Sequence, residues 1–169
     1  MAGTTLEEFC CANIWFKLGM NHTTFHPDRH RDILPQQMEI ALRDTGRGSK
    51  SVKPGTITLK YPLQNDLGGI GLFSTAADYA KLLAALVSGG HPLLHSSSVD
   101  VLLSSQLNED SREAMPKLLG FQMKRVLGLD GTMQADHSLA GTMTLRDNPH
   151  RRRKGTVSWA GLPNLHWVC

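Results

Sequence analysis

The sequence predicts an α/β chain of the α+β kind, with helices and antiparallel strands kept to separate stretches. Three observations carry this. A capped amphipathic pattern opens the chain at Thr5, a second runs from Ser74 to Gly89, and after Gly120 the apolar spacing changes from helical to alternating. With 169 residues, 40% of them hydrophobic, the chain is long enough for one ordinary domain with its own core.

Residues 1–20 read as a helix. Thr5 and Glu8 form a Thr-x-x-Glu capping box, Leu6, Phe9, Ile14 and Leu18 make an apolar stripe, and Gly19 supplies the stop. A capped helix this close to Met1 suggests a truncated start. Residues 21–67 read as a long loop region rich in turn formers, with Pro27, Pro35, Gly46, Gly48, Pro54 and Gly55, and one short helical turn near Gln36 to Leu42. Loops of that length border functional sites more often than they merely connect.

Residues 68–106 read as helical. A glycine run ends at Ser74 or Thr75 as N-cap, Asp78 complements the positive helix start, and Tyr79, Leu82, Leu83 and Leu86 recur at helical spacing until Gly89-Gly90. A shorter helix, capped within Ser96-Ser97-Ser98, runs through Val99 to about Gln106. Residues 120–169 read as sheet strands, with alternation in Ser138 to Leu145 and Thr156 to Trp159 and a further strand from Asn164 to Val168.

Charge and cysteine content narrow the function classes. Lys and Arg number 18 against 15 Asp and Glu, a formal charge of +3 that turns slightly negative without the single run Arg151–Lys154. Four charges without interleaved aromatics are too few for a nucleic-acid surface, so the run is expected to be a solvated turn between strands. No apolar run is long enough to span a bilayer, and no membrane partner is expected. Cys10 and Cys11 are adjacent and Cys169 is terminal, which gives no disulfide framework and points to a reducing, cytoplasmic setting. His22, His26 and His30 recur every four residues, but Asn21, Thr23, Thr24 and Pro27 oppose a helix there; they are expected to be polar loop histidines, with no metal and no cofactor.

The stretches "TLEEFCCANIWFKLGM", "GLFSTAADYAKLLAALVSGG" and "HSLAGTMTL…RRRKGTVSWAGLPNLHW" resemble the serine β-lactamase and penicillin-binding-protein superfamily. More narrowly they resemble its esterase and transesterase branch, which includes fungal acyltransferases that decorate polyketides in secondary metabolism. The resemblance implies a partial β-lactamase-like fold, an antiparallel sheet with flanking helices, whose N- and C-terminal parts are missing. It also implies small-molecule acyl ester or thioester substrates.

That chemistry uses a Ser-x-x-Lys nucleophile, a Tyr-x-Asn proton relay and a strand triplet beside the oxyanion hole. No lysine of this chain has a serine three positions before it, and Tyr61 and Tyr79 are followed by Pro62-Leu63 and Ala80-Lys81. No catalytic residue is therefore assigned. The triplet is present as Trp159-Ala160-Gly161, the Trp-x-Gly form of the esterase branch. By resemblance, Trp159, Gly161 and Leu162 bind substrate, the Leu162 N–H as an oxyanion donor and Gly161 by admitting close approach. The expectation is a β-lactamase-related domain fragment, inactive alone. The alternatives are a non-catalytic binding or scaffold protein and a subunit complemented by another chain.

Overall fold

A computed structural model describes residues 3–43, 52–55, 64–118, 134–147, 152–161 and 165–169. The chain divides into two compact units, Met1–Ala84 and Ala85–Cys169.

The first unit opens as the sequence implies. The Thr5 side chain accepts from the Glu8 N–H and the Glu8 carboxylate accepts from the Thr5 N–H, so the capping box is complete. The helical segment comprises α1 (Leu6–Cys10), a π-helical stretch (Cys11–Trp15) and α2 (Phe16–Leu18), and Gly19 ends it in the left-handed conformation at φ 64°. Leu6 and Phe9 of the expected stripe stay exposed; the inward face instead places buried Trp15 against Met20 and Phe25, with Ile14, Leu18 and Leu82 packed around them. The Trp15 and Phe25 rings lie 5.9 Å apart, within the range of favourable aromatic contact.

The described residues of the following segment are more ordered than its turn-rich composition implies. Carboxylates tie it down. Glu7 accepts from the Thr24 hydroxyl and the Phe25 N–H, both at 2.7 Å, while its own N–H donates to Asp66 at 2.7 Å. His26 is buried rather than a solvated loop histidine, because its Nε2 meets Asp66 at 2.6 Å. The Glu7 N–H, aided by the His26 ring, holds the Asp66 carboxyl below its usual range against the opposing effect of burial. A bridge between Thr24 and Phe73 joins the two ends of the segment. The helical turn expected near Gln36 to Leu42 is instead a 3-10 turn at Leu34–Gln36 followed by strand β1 (Ile40–Arg43), antiparallel to β2 (Val52–Gly55). Pro35 suits the first turn of the 3-10 segment, and strand pairing overrides the weak helical signal after it.

Helix α3 (Ala76–Val87) starts as expected, with the Thr75 hydroxyl accepting from the Asp78 N–H at 3.1 Å. Asp78 does more than complement the helix start: buried, it accepts from the His22 N–H at 2.7 Å and from Lys81 at 2.8 Å. Burial pushes this carboxyl up, but those donors outweigh it and leave it below the ordinary value.

In the second unit α4 (Ser96–Leu102) begins one to three residues earlier and ends sooner than the serine run suggests, since His95 is its N-cap and the three serines lie inside. A further helix, α5 (Glu109–Leu118), is started by Asn108, whose side chain accepts from the Ser111 N–H. The sheet is an antiparallel meander in the order β3 (Ala135–His137), β4 (Thr142–Thr144), β5 (Val157–Gly161) and β6 (Leu165–Val168). The alternation from Ser138 to Leu145 resolves into a tight turn, closed by the Ser138 N–H on the Gly141 carbonyl, and then β4. Met115 of α5 packs on Ala135 and Ala160, which places the helix against the sheet.

Gly90 gives a sharp test of packing after α3. It sits at φ +92°, and a Cβ there would lie 2.5 Å from Val99 Cγ2, whereas Gly89 at φ +91° faces open space. Gly89→Ala is expected to cost about 1–2 kcal/mol through backbone strain alone, and Gly90→Ala about 1–3 kcal/mol more through overpacking. Urea unfolding of the two variants checks this; equal losses would contradict the packing described.

Candidate functional site

Strand β5 carries the Trp159-Ala160-Gly161 triplet. Successive strand side chains point to opposite faces, so Ala160 turns inward to Met115 and Ala135 while Trp159 and Gly161 share the other face. Trp159 is 44% exposed, an unusual state for the largest side chain, and a Cβ added to Gly161 would meet nothing within 4 Å among the described residues. Neither residue is therefore dictated by core packing. Together they form an open apolar wall. Leu162, the third residue expected here, lies outside the described residues.

Sequence reasoning missed the residue beside this wall. His137, at the end of β3, meets Trp159 edge-on with ring centroids 5.5 Å apart and planes at 76°. Its Nδ1 is 2.5 Å from the Ser138 carbonyl. A carbonyl only accepts, so Nδ1 carries the proton, and in the neutral ring Nε2 is left as an acceptor. No spacing signal links positions 137 and 159; the sheet aligns His137 with Thr142 and Ser158, and at the strand end its ring reaches Trp159, the next residue of β5.

The His137 backbone is held by its neighbour. Asp136 is fully buried, and its carboxylate accepts from the Arg112 Nε at 2.6 Å, the His137 N–H at 2.6 Å, the Leu107 N–H at 3.2 Å and the Ser105 hydroxyl. Burial alone would raise the Asp136 pKa, but the Ser105 and Arg112 side chains and the two N–H groups overcome it and bring it down to about 2.

The basic run sits in the connection between β4 and β5. Arg153 and Lys154 are exposed, as expected, but Arg152 is half-buried and donates to the Ser158 hydroxyl at 2.7 Å, with His166 Nε2 at 3.1 Å. Ser158 alternates with Trp159, so this guanidinium works on the face opposite the wall. Arg151 lies outside the described residues.

Among the described residues no hydroxyl bonds to a lysine amine or an imidazole. Ser74 and Thr23 share a hydrogen bond of 2.8 Å beside Asp78, but that carboxylate is occupied by Lys81 and the His22 N–H. The cluster closes a helix start and has no base poised to activate a nucleophile. Among the described residues no group of three His, Cys, Asp or Glu side chains is placed to hold a metal ion, and no helix is long and apolar enough to cross a membrane.

Known proteins resemble this chain along nearly its whole length. A family model described as Beta-lactamase matches residues 1–167. Lovastatin esterase of Penicillium rubens is 27% identical over 171 residues, spanning 99% of this chain and 42% of that protein. Acyltransferase calJ of Penicillium decumbens is 30% identical over 170 residues, covering 98% of this chain and 40% of the relative. Unliganded, selenomethionyl simvastatin synthase (LovD) from Aspergillus terreus superposes with a TM-score of 0.82 at 24% identity, over 98% of this chain and 41% of that one. The fold expectation, a partial β-lactamase-like arrangement of helices and antiparallel sheet, is met. The chain spans about two fifths of the length of the curated relatives it matches.

Asp136 makes the wall's support sensitive to acid. Its folded pKa of about 2 lies below the ordinary value of 3.8, so its stabilisation is complete above about pH 4 and is lost as pH falls toward 2. The shift corresponds to roughly 2 kcal/mol. Asp136→Asn should lose about 2–4 kcal/mol at neutral pH and show a shallower decline between pH 4 and 2 than wild type. Thermal unfolding over pH 2–6 measures both; parallel acid limbs in the two proteins would refute the role given to Asp136.

Proposed function

The chain belongs to the Beta-lactamase family, and on that premise we propose that it carries the Trp-x-Gly wall of an acyl-transfer site for small-molecule acyl esters or thioesters. Ester hydrolysis or acyl transfer in fungal secondary metabolism is the activity to which this wall contributes. The observation that carries the reading is the exposed Trp159 ring and the open Gly161 on one face of β5. Its two named relatives, lovastatin esterase and acyltransferase calJ, support it.

Each residue has a separate task. Trp159 offers a flat apolar surface on which an acyl chain or ring desolvates, and burying such a group stabilises binding by roughly 25 cal/mol per Å². Gly161 leaves the space in which the scissile carbonyl approaches the strand. The Leu162 N–H then donates to the oxygen on which negative charge develops in the tetrahedral transition state.

What the chain lacks is the attacking group. With no Ser-x-x-Lys and no Tyr-x-Asn in its sequence, it has no residue to form the acyl-enzyme or relay its proton. In serine hydrolases of other folds, removal of the nucleophile leaves only about 10³–10⁴ of acceleration from binding and the oxyanion hole. On this reading the isolated chain binds acyl compounds without serine-dependent turnover.

A p-nitrophenyl ester assay on the purified chain tests this. No burst and no serine labelled by a fluorophosphonate are expected. A burst of p-nitrophenol that the fluorophosphonate abolishes would reverse the conclusion.

A further inference from the structure

His137 is fixed more tightly than a packing residue beside Trp159 requires. Its N–H is bound by the buried Asp136 carboxylate and its Nδ1 by the Ser138 carbonyl. Its own carbonyl accepts from the Gln106 N–H at 3.0 Å. These bonds set backbone, rotamer and tautomer together. What remains is Nε2, which has no partner among the described residues. A half-buried imidazole nitrogen with a free lone pair at the edge of an exposed aromatic ring needs a donor from water or from a ligand.

We propose that His137 is a specificity-determining residue, its Nε2 receiving the hydroxyl of an alcohol seated against Trp159. The inference rests on the reading of Trp159 as a ligand wall and adds the chemical class of the group bound beside it, the alcohol that serves as acyl acceptor. The chemistry selects this class. An acceptor-only nitrogen gains nothing from an ester carbonyl or an ether oxygen, which have no proton to give. A carboxylate would set one acceptor against another. An ammonium would also donate; the neutral hydroxyl is the donor that the acyl-ester reading of this wall calls for, as the acyl acceptor. A hydroxyl attached to an apolar ring satisfies both neighbours, giving its proton to Nε2 and its carbon skeleton to the indole face.

The test uses the ¹⁵N-labelled full chain and two probes of nearly equal shape, cyclohexanol and methoxycyclohexane, followed by NMR at the Trp159 indole and the His137 ring nitrogens. The expected result is that both probes move the Trp159 indole signal, that cyclohexanol alone moves Nε2, and that it binds about five- to tenfold more tightly than the ether. In His137→Phe, which keeps a ring edge against Trp159, that ratio should fall to about one while the ether still moves the indole signal. Equal binding of both probes by wild type with Nε2 unmoved would overturn the proposal and leave the Trp159 wall standing, whether or not the variant folds. An unchanged ratio in a folded His137→Phe would overturn it equally. If neither probe reaches the Trp159 indole, the wall reading itself fails, and the role of His137 fails with it.

Discussion

The second unit is organised around the buried carboxylate of Asp136. Strand β3 is only three residues long and α5 is largely polar, so neither has enough apolar surface to hold its place unaided. The carboxylate gathers donors from the α4–α5 connection, from α5 and from β3 itself: the Ser105 and Arg112 side chains and the Leu107 and His137 N–H groups. Its burial is costly, and the four donors offset that cost; the depressed pKa is the thermodynamic trace of this balance. A separate bond protects β3: the Gln106 N–H pairs with the His137 carbonyl on the side away from β4 and so covers the sheet edge.

From that anchor the site follows by geometry. Fixing Asp136 fixes the next residue, and the His137 ring then meets Trp159 two strands away, one position along β5 from its register line through Thr142 and Ser158. Ala160 fastens the wall from behind by packing on Met115 and Ala135, which frees Trp159 and Gly161 on the other face. Val157, on the same face of β5, is 1% exposed, so that face opens only from Trp159 onward. The Trp159 ring meets His137 edge-on yet stays 44% exposed, and a Cβ at Gly161 would meet nothing within 4 Å among the described residues.

What could be read in the sequence was local. Thr5 with Glu8, Gly19 and Thr75 are helix signals acting within one turn, and the structure places them as read. The Trp-x-Gly triplet was legible because it is contiguous. The strand pair β1–β2 was hidden by turn-rich composition, and α5 by its polar residues and by Pro116, although Asn108 followed by Glu109 and Asp110 was an available start signal. His26 with Asp66, and Asp136 with Ser105, Leu107 and Arg112, join residues far apart in the chain, and such pairings leave no periodicity to read. His137 escaped for the same reason, since only the folded sheet brings its ring to Trp159.

The account depends most on Asp136 holding β3 and the α4–α5 connection as one cooperative element. Native-state hydrogen exchange at the His137 and Leu107 amides measures this directly. Both protons should exchange only as the whole second unit opens, with the same free energy and the same response to denaturant. Exchange as fast as at Leu139 in the exposed turn, independent of denaturant, would mean that the carboxylate merely decorates the strand and that the wall is held by something else.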